Sequence, residues 1–525
     1  MKLKSISKNI ISLFLSLTIL IMSLLLVTKV FGGVQIKDVV LTIGANHSQK
    51  IVTFYTDDKV NAEVEYQPAS FEDDFKNAKK ATVSSYQNSK KTAYTNSATL
   101  SNLSTNTEYE YRIKTDNTVS KIYKFTVQDK DNFIFLAIGD PQLGATGINL
   151  NANAWIKNLD KIENSVPNPA FMISLGDQVN TSDSDEEYSE FLAPEFMKSV
   201  ALAPVIGNHD DDTPDFSEHF GLPNVTPYGK NAAGSDYYFA WGKTLFLVMN
   251  ANINDAETHR QMMNEAISKY PDSEYKILCF HQSIYSAGIH ATEPGILSKR
   301  ENFVPLIDEF NIDLVLMGHD HIYTRTPQMK NNQEVKSEVK NLYKQGNGTV
   351  YTTLNSSSGS KFYPAKLTPL DYAKVKDQSY RTNYTTVEVT PKALYITTYA
   401  TSDNKIIDKF IIEKQNTSSN AEDNSTKPTE NENNTVENQD SKPVENSTEN
   451  QTTKPDESSK KEQNISKNTE NNNTKNNEKT KLIKDDKTPK TSPKTSVQSQ
   501  VVFLIVAILS ASTILVAVRK APIKD

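Results

Sequence analysis

The sequence predicts a β-sandwich, then an α/β layered domain, then a disordered C-terminal spacer. Three observations predict it. Residues 34–128 hold short β-branched and aromatic runs separated by polar turns. From Phe133, short apolar runs alternate with longer amphipathic stretches. From Gln415 to Lys490 the chain is built from Asn, Lys, Thr, Glu, Ser and Asp, without an aromatic residue. Such a segment buries too little apolar surface to offset its ordering entropy. A length of 525 residues has room for two or three domains.

Residues 1–33 read as a secretory signal. Lys2, Lys4 and Lys8 precede an apolar stretch from Ile10 to Phe31, and Gly32-Gly33 stand at the exit. The stretch is long for a signal and also suits an uncleaved anchor. In 34–128 the runs "KDVVLTI", "KIVTFYT", "NAEVEYQ", "TEYEYRIKT" and "KIYKFTV" read as sandwich strands.

Residues 129–414 form the layered domain. "FIFLAI", "AFMISL", "VALAPVI", "TLFLVMN", "YKILCF" and "IDLVLM" read as buried strands, and "NAWIKNLDKIENSV" and "ETHRQMMNEAISKY" as covering helices. After Gly346, "GTVYTTL", "TNYTTVEVT", "ALYITTYA" and "KIIDKFIIE" return to strand character. They are expected to complete one sheet of that domain. The single cysteine, Cys279, excludes an internal disulfide and reads as a small core hydrophobe. Net charge is −7, with no basic block in the first 400 residues, so non-specific nucleic-acid binding is not indicated.

Residues 415–491 are the spacer. Residues 492–525 hold "SPKTS", an apolar span from Val501 to Val518, and Arg519-Lys520. The span is just long enough to cross a bilayer, with positive charge behind it. The trio resembles a sortase sorting signal of Gram-positive surface proteins. Pro493 and Thr495 stand where that signal has Pro and Thr, while Ser492 and Ser496 depart from its Leu and Gly. The resemblance implies sortase and peptidoglycan as partners and a cell-wall location. A plain C-terminal membrane anchor is the alternative.

The chemistry lies at the strand ends. "FIFLAI" is followed by Asp140 and Gln142, and "AFMISL" by Asp177 and Asn180. "ALAPVI" is followed by Asn208, His209 and Asp210, "YKILCF" by His281, and "LVLM" by His319 and His321. Ligand sites in α/β sheets form beyond the carboxyl ends of strands. A lone GD or GNH arises by chance, and a buried Asp often only caps a turn. Five such ends in order point to one shared site. Nitrogen and oxygen donors together suit zinc, manganese or iron better than calcium.

This order (GD, GDxxx, GNHD, a strand-end His, GHxH) resembles the calcineurin-like metallophosphoesterase superfamily, over Phe133 to Thr326. With the fibronectin-III-like sandwich in front, residues 34–414 look like a purple-acid-phosphatase-type enzyme. The resemblance implies two sheets flanked by helices and two divalent or mixed-valence metal ions (Fe, Mn or Zn). Asp177 would bridge them, Asn208, His281 and His319 would complete one position, and Asp140 and His321 belong to the other. A hydroxide held between the ions would attack a small phosphomonoester, and His209 would assist the leaving oxygen. Asp210 would orient the His209 ring, or else cap the turn or form a salt bridge. His290 stands at the spacing of a substrate-contacting His in that family, although a surface role fits as well.

Two positions depart from the family pattern. Gln142 replaces a frequent His, and Asn180 replaces the Tyr of purple acid phosphatases. An amide oxygen is a weaker ligand, and without the tyrosinate no purple colour is expected. His47, His219 and His259 read as surface or helix residues, and Tyr323 and Arg325 as packing residues. Alternatives to a phosphomonoesterase are a phosphodiesterase or nucleotide hydrolase using the same site, and a surface adhesin with a decayed phosphatase domain.

Overall fold

The computed structural model describes residues 34–415 and, apart from them, Leu17. The expected signal, spacer and sorting segments lie outside the described residues. Among the described residues, no helix is long and apolar enough to cross a membrane.

The first seven strands are β1 (Ile36–Ile43), β2 (Lys50–Thr56), β3 (Ala62–Pro68), β4 (Lys79–Gln87), β5 (Tyr94–Leu100), β6 (Thr107–Thr115) and β7 (Tyr123–Val127). β1, β2 and β5 pair antiparallel, as do β3, β6 and β7. β4 serves both groups: its first half pairs with β3 and its second half with β5. In β6, Tyr109, Tyr111 and Ile113 are buried while the residues between them are less so. This is the period of two that a half-buried strand requires.

The layered domain adds β8 (Phe133–Ile138), β9 (Met172–Ser174), β10 (Leu202–Pro204), β11 (Tyr237–Trp241), β12 (Thr244–Val248), β13 (Tyr275–Cys279) and β14 (Leu314–Met317). Then follow β15 (Tyr323–Lys330), β16 (Gln333–Glu334), β17 (Leu342–Lys344), β18 (Thr349–Thr353), β19 (Val375–Asp377), β20 (Asn383–Val389), β21 (Ala393–Ala400) and β22 (Ile406–Glu413). The helices are α1 (Ile148–Ser165), α2 (Asp185–Leu192), α3 (Phe196–Ser199), α4 (Asp215–His219), α5 (Ala256–Lys269) and α6 (Pro294–Glu309).

Two sheets face each other. One runs β17-β22-β21-β20-β8-β9-β10, and the other β11-β12-β13-β14-β18-β15-β16. Alternation along the strands sets the layers. Phe133, Phe135 and Ala137 of β8 join Ile277, Leu314 and Leu316 in one core. Leu136 and Ile138 turn the other way, onto Trp155 and Leu159 of α1 and Tyr188 of α2. Val315 and Met317 of β14 meet Met262 and Met263 of α5 and Phe303 of α6. Both faces of the central strands are covered, which is why they read as unbroken apolar runs.

Two features differ from the sequence reading. The strands after Gly346 do not complete one sheet. β18 lies between β14 and β15 in the second sheet, while β20, β21 and β22 extend the first from β8. Strand propensity does not choose a partner, and the chain crosses between sheets after Asp377, once β19 has paired with β15. The sandwich is also continuous with the first sheet, because β1 meets the edge strand β10 in parallel through Thr42 and Leu202.

Candidate metal centre

β8, β9 and β10 run parallel, and so do β12, β13 and β14. Their carboxyl ends deliver the expected residues. Asp140 (φ 39°), Gln142 (40°), Asp177 (50°), His319 (73°) and His321 (44°) all have left-handed backbone as they leave the strands. Such conformations cost about 1–3 kcal/mol each and persist where the surroundings dictate them. Two glycines are required by close approach. A Cβ at Gly207 would stand 2.1 Å from Asp177 Oδ1. One at Gly176, where φ is 95°, would stand 2.3 Å from His281 Nδ1.

Four donor atoms converge on one side. Asn208 Oδ1 lies 3.0 Å from His281 Nε2 and 2.9 Å from His319 Nδ1. The two ring nitrogens are 3.2 Å apart, and Asp177 Oδ2 is 3.3 Å from His281 Nε2. His281 donates Nδ1–H to the Leu175 carbonyl at 2.8 Å, which leaves Nε2 as the ligand atom.

Asp140 and His321 form the other side. Asp140 Oδ1 is 3.4 Å from His321 Nε2. His321 donates Nδ1–H to the Lys361 carbonyl at 2.8 Å, and the Asp140 carboxylate accepts the His319 backbone N–H. Gln142 donates Nε2–H to Asn180 Oδ1 at 3.3 Å. Its Oε1 is buried with no hydrogen-bond partner among the described residues.

The electrostatics ask for positive charge. Burial alone would lower His281, but the Asp177 and Asp140 carboxylates lift it to about 10. Burial would raise Asp177, yet His281 and His209 hold it well below the usual carboxylate range. Burial dominates at Asp140 and pushes it up. Burial also pushes His319 down to about 3, helped by His281, and His321 down to about 4. Buried carboxylates and imidazoles are a donor set for divalent cations once the His281 proton is displaced, and Asp140, Asp177 and His281 bring ligand atoms within 4.8 Å of one another. The set therefore fits metal.

The flanking residues divide. His209 donates its backbone N–H to Asp177 Oδ1 at 2.9 Å and Nδ1–H to the Asn180 carbonyl at 2.8 Å. Asp210 does not hold that ring. Its buried carboxylate accepts the backbone N–H groups of Gln178 at 3.0 Å and Gly207 at 2.9 Å, tying two strand-end loops together. His290 donates Nδ1–H to Asp320 at 2.8 Å, and its ring centre is 4.9 Å from that of His319.

Among the other histidines, His219 and His259 are helical but buried. His219 stacks on Tyr188, and His259 bonds Asp236 at 2.7 Å. Tyr323 and Arg325 bind buried Asp408.

Sequence reasoning missed the loop after β18. Ser356 Oγ donates to the Asp140 carbonyl at 3.0 Å, and Ser358 Oγ to that of Pro141. The Tyr363 ring lies against both His321 and His290. The signal was there: "NSSSGS" follows an apolar strand end, as the other site segments do.

Comparison with known proteins agrees with this architecture. Residues 133–323 match the family described as calcineurin-like phosphoesterase, and residues 36–127 match the purple acid phosphatase N-terminal domain. No curated protein sequence matches the chain significantly. Among solved structures, purple acid phosphatase PPD1 from yellow lupin seeds superposes with a TM-score of 0.60 at 17% identity. The match covers 73% of this chain and 75% of that one, and the likeness is one of fold. A structure of PhoD gives a TM-score of 0.47 at 10% identity, over 71% of this chain and 92% of that one. The chain thus joins a purple acid phosphatase N-terminal domain to a calcineurin-like phosphoesterase domain, and it is a phosphoesterase.

Proposed function

We propose that the protein is a surface-anchored phosphomonoesterase that works over two divalent cations. One observation carries this reading: Asn208, His281, His319 and Asp177 converge beside Asp140 and His321. Asp177 has two carboxylate oxygens and brings a ligand atom within 4.8 Å of those of both His281 and Asp140, which supports reading it as the shared ligand. Iron, manganese and zinc all suit these donors. Bound there, the cations would neutralise phosphoryl oxygens and acidify water toward neutral pH.

The chain's own groups supply the rest. The Leu175 and Lys361 carbonyls aim Nε2 of His281 and His321 into the site. With Nδ1–H given to the Asn180 carbonyl, His209 leaves Nε2 to face the leaving oxygen, and in its imidazolium form it would give that oxygen the Nε2 proton. The Asp320 carboxylate, bonded to Nδ1, raises the pKa of His290 and so favours the charged form of a ring that would face substrate oxygens. Asp210 acts by fixing the loops that carry Asp177 and Asn208.

Surface placement rests on the sequence. The N-terminal signal exports the chain, and residues 415–491 space the folded part from the envelope. "SPKTS" is the segment that sortase would join to peptidoglycan. Wall digestion should release protein lacking Val501–Val518. Full-length protein left in the membrane would contradict sorting. Phosphate scavenging outside the cell suits this placement.

Rates of the purified chain on an aryl phosphomonoester and an aryl phosphodiester, with and without chelator, test the activity. Chelator-sensitive turnover that favours the monoester is expected. Preference for the diester would shift the substrate class, and absence of metal-dependent turnover would leave only a binding role.

A further inference from the structure

We infer that Lys90, a residue of the sandwich, is a positioning residue for His209. Its ammonium ties together the two strand-end segments that set the His209 ring. This rests on the general-acid reading of His209 above.

Lys90 sits in the turn between β4 and β5. The turn is fixed by its own residues, since Asn88 Oδ1 accepts the backbone N–H groups of Thr92 at 2.9 Å and Ala93 at 3.1 Å. From there the Lys90 ammonium reaches the layered domain. It donates to the Asp183 carbonyl at 2.7 Å, to Asp185 Oδ1 at 2.6 Å and to Asp215 Oδ1. All three of its donors are thereby used. Asp183 and Asp185 lie on the chain that leaves β9, and Asp215 on the chain that leaves β10. Next to it, Ser89 gives its backbone N–H to Glu218 Oε1 at 2.7 Å. Tyr55 of β2 stands edge-on to His219, with ring centres 4.7 Å apart.

The same two segments hold His209. Its backbone belongs to the chain after β10, and its Nδ1 meets the Asn180 carbonyl, on the chain after β9, at 2.8 Å. Thr213 Oγ1 donates to the Ser182 carbonyl at 3.0 Å, a second tie between the two. Glu187 Oε2 of α2 accepts the N–H groups of Asn180 at 2.9 Å and Thr181 at 2.8 Å, so a displaced α2 displaces the Asn180 carbonyl. Exposed ion pairs contribute little. This one differs, because the Asp215 side chain is only 4% exposed and the ammonium joins segments of two domains. The Lys80–Glu63 pair, by contrast, stays within the sandwich.

The test uses the metal-loaded full chain on p-nitrophenyl phosphate and on glycerol phosphate. The alkoxide leaving group of the second ester needs a proton far more than the nitrophenolate of the first. Lys90→Met combined with Asp215→Asn removes both charges, so no buried carboxylate is stranded. Native metal content shows that this variant is folded. Its kcat on glycerol phosphate should fall about tenfold, within the range a misplaced catalytic group costs, and that on p-nitrophenyl phosphate less than about twofold. Lys90→Arg should restore the native ratio of the two rates, and Lys80→Ala should leave both rates native. In a His209→Ala background the double change should cost nothing further, because coupled residues are not additive. A native rate on glycerol phosphate, an equal loss on both esters, or a loss that persists without His209 would overturn the role of Lys90 and leave His209 as it stands. If His209→Ala itself slowed both esters equally, the general-acid reading would fall, and the role of Lys90 with it.

Discussion

His281 Nε2 and His319 Nδ1 face each other at 3.2 Å, with Asn208 Oδ1 about equally close to both. Two imidazole lone pairs at that separation repel unless a proton or a cation lies between them. In the metal-free chain the proton belongs to His281, because the Asp177 and Asp140 carboxylates outweigh its burial and hold it to about 10.

Metal binding should therefore release protons. Ligand imidazoles must be neutral, so below pH 10 the incoming ion displaces the His281 proton. Affinity should rise about tenfold per pH unit in that range. Titration calorimetry in buffers of different ionisation enthalpy should count at least one proton released near pH 7, and a count of zero would contradict the assignment. The metal-free fold follows the same sign. A raised histidine pKa stabilises it fully below about 6.5, and this contribution fades as pH climbs through about 10.

His209 touches the Asp177 loop and the Asn180 carbonyl through atoms other than Nε2. His209→Ala should lower kcat on an aryl phosphate about 10²–10⁴-fold, the usual worth of a general acid. Metal content should stay at the native level, because the backbone N–H to Asp177 remains. Native turnover in this variant would remove His209 from the chemistry.

Asp210 is a different case. Its carboxylate caps backbone N–H groups of Gln178 and Gly207 deep in the fold. Asp210→Ala strands these donors and should cost about 2–5 kcal/mol. Thermal unfolding should show a clear drop. An unchanged melting temperature with a shifted pH–rate profile would instead mean that Asp210 acts on the His209 ring.

Gly207→Ala should empty the site. The new Cβ would meet Asp177 Oδ1 at 2.1 Å and the Asp177 backbone nitrogen at 2.2 Å, and backbone cannot swing aside. Metal retained per chain after gel filtration should fall well below the native value. Full occupancy would show that the Asp177 loop is more yielding than its contacts suggest.

Much of this centre was legible in the sequence, for a physical reason. Asp140, Asp177, Asn208, His281 and His319 each follow an apolar strand, and parallel strands bring their ends together. What stayed hidden has no side-chain signature. The Lys361 carbonyl that orients His321 is backbone, and any residue could supply it. Ser356 reaches Asp140 from 216 positions away, across a change of sheet that strand propensity does not encode. The edge contact of Thr42 with Leu202 involves no motif. His259 read as a surface or helix residue, and its burial was hidden because its partner, Asp236, lies on a loop 23 positions earlier.

Metal content measured together with aryl phosphate turnover, for the native chain and for Asp177→Ala, tests the central claim most directly. The native protein should hold two metal ions and turn over substrate. The folded variant should lose metal and turnover together. An Asp177→Ala protein with native metal content and native rate would show that these side chains do not meet around a cation pair.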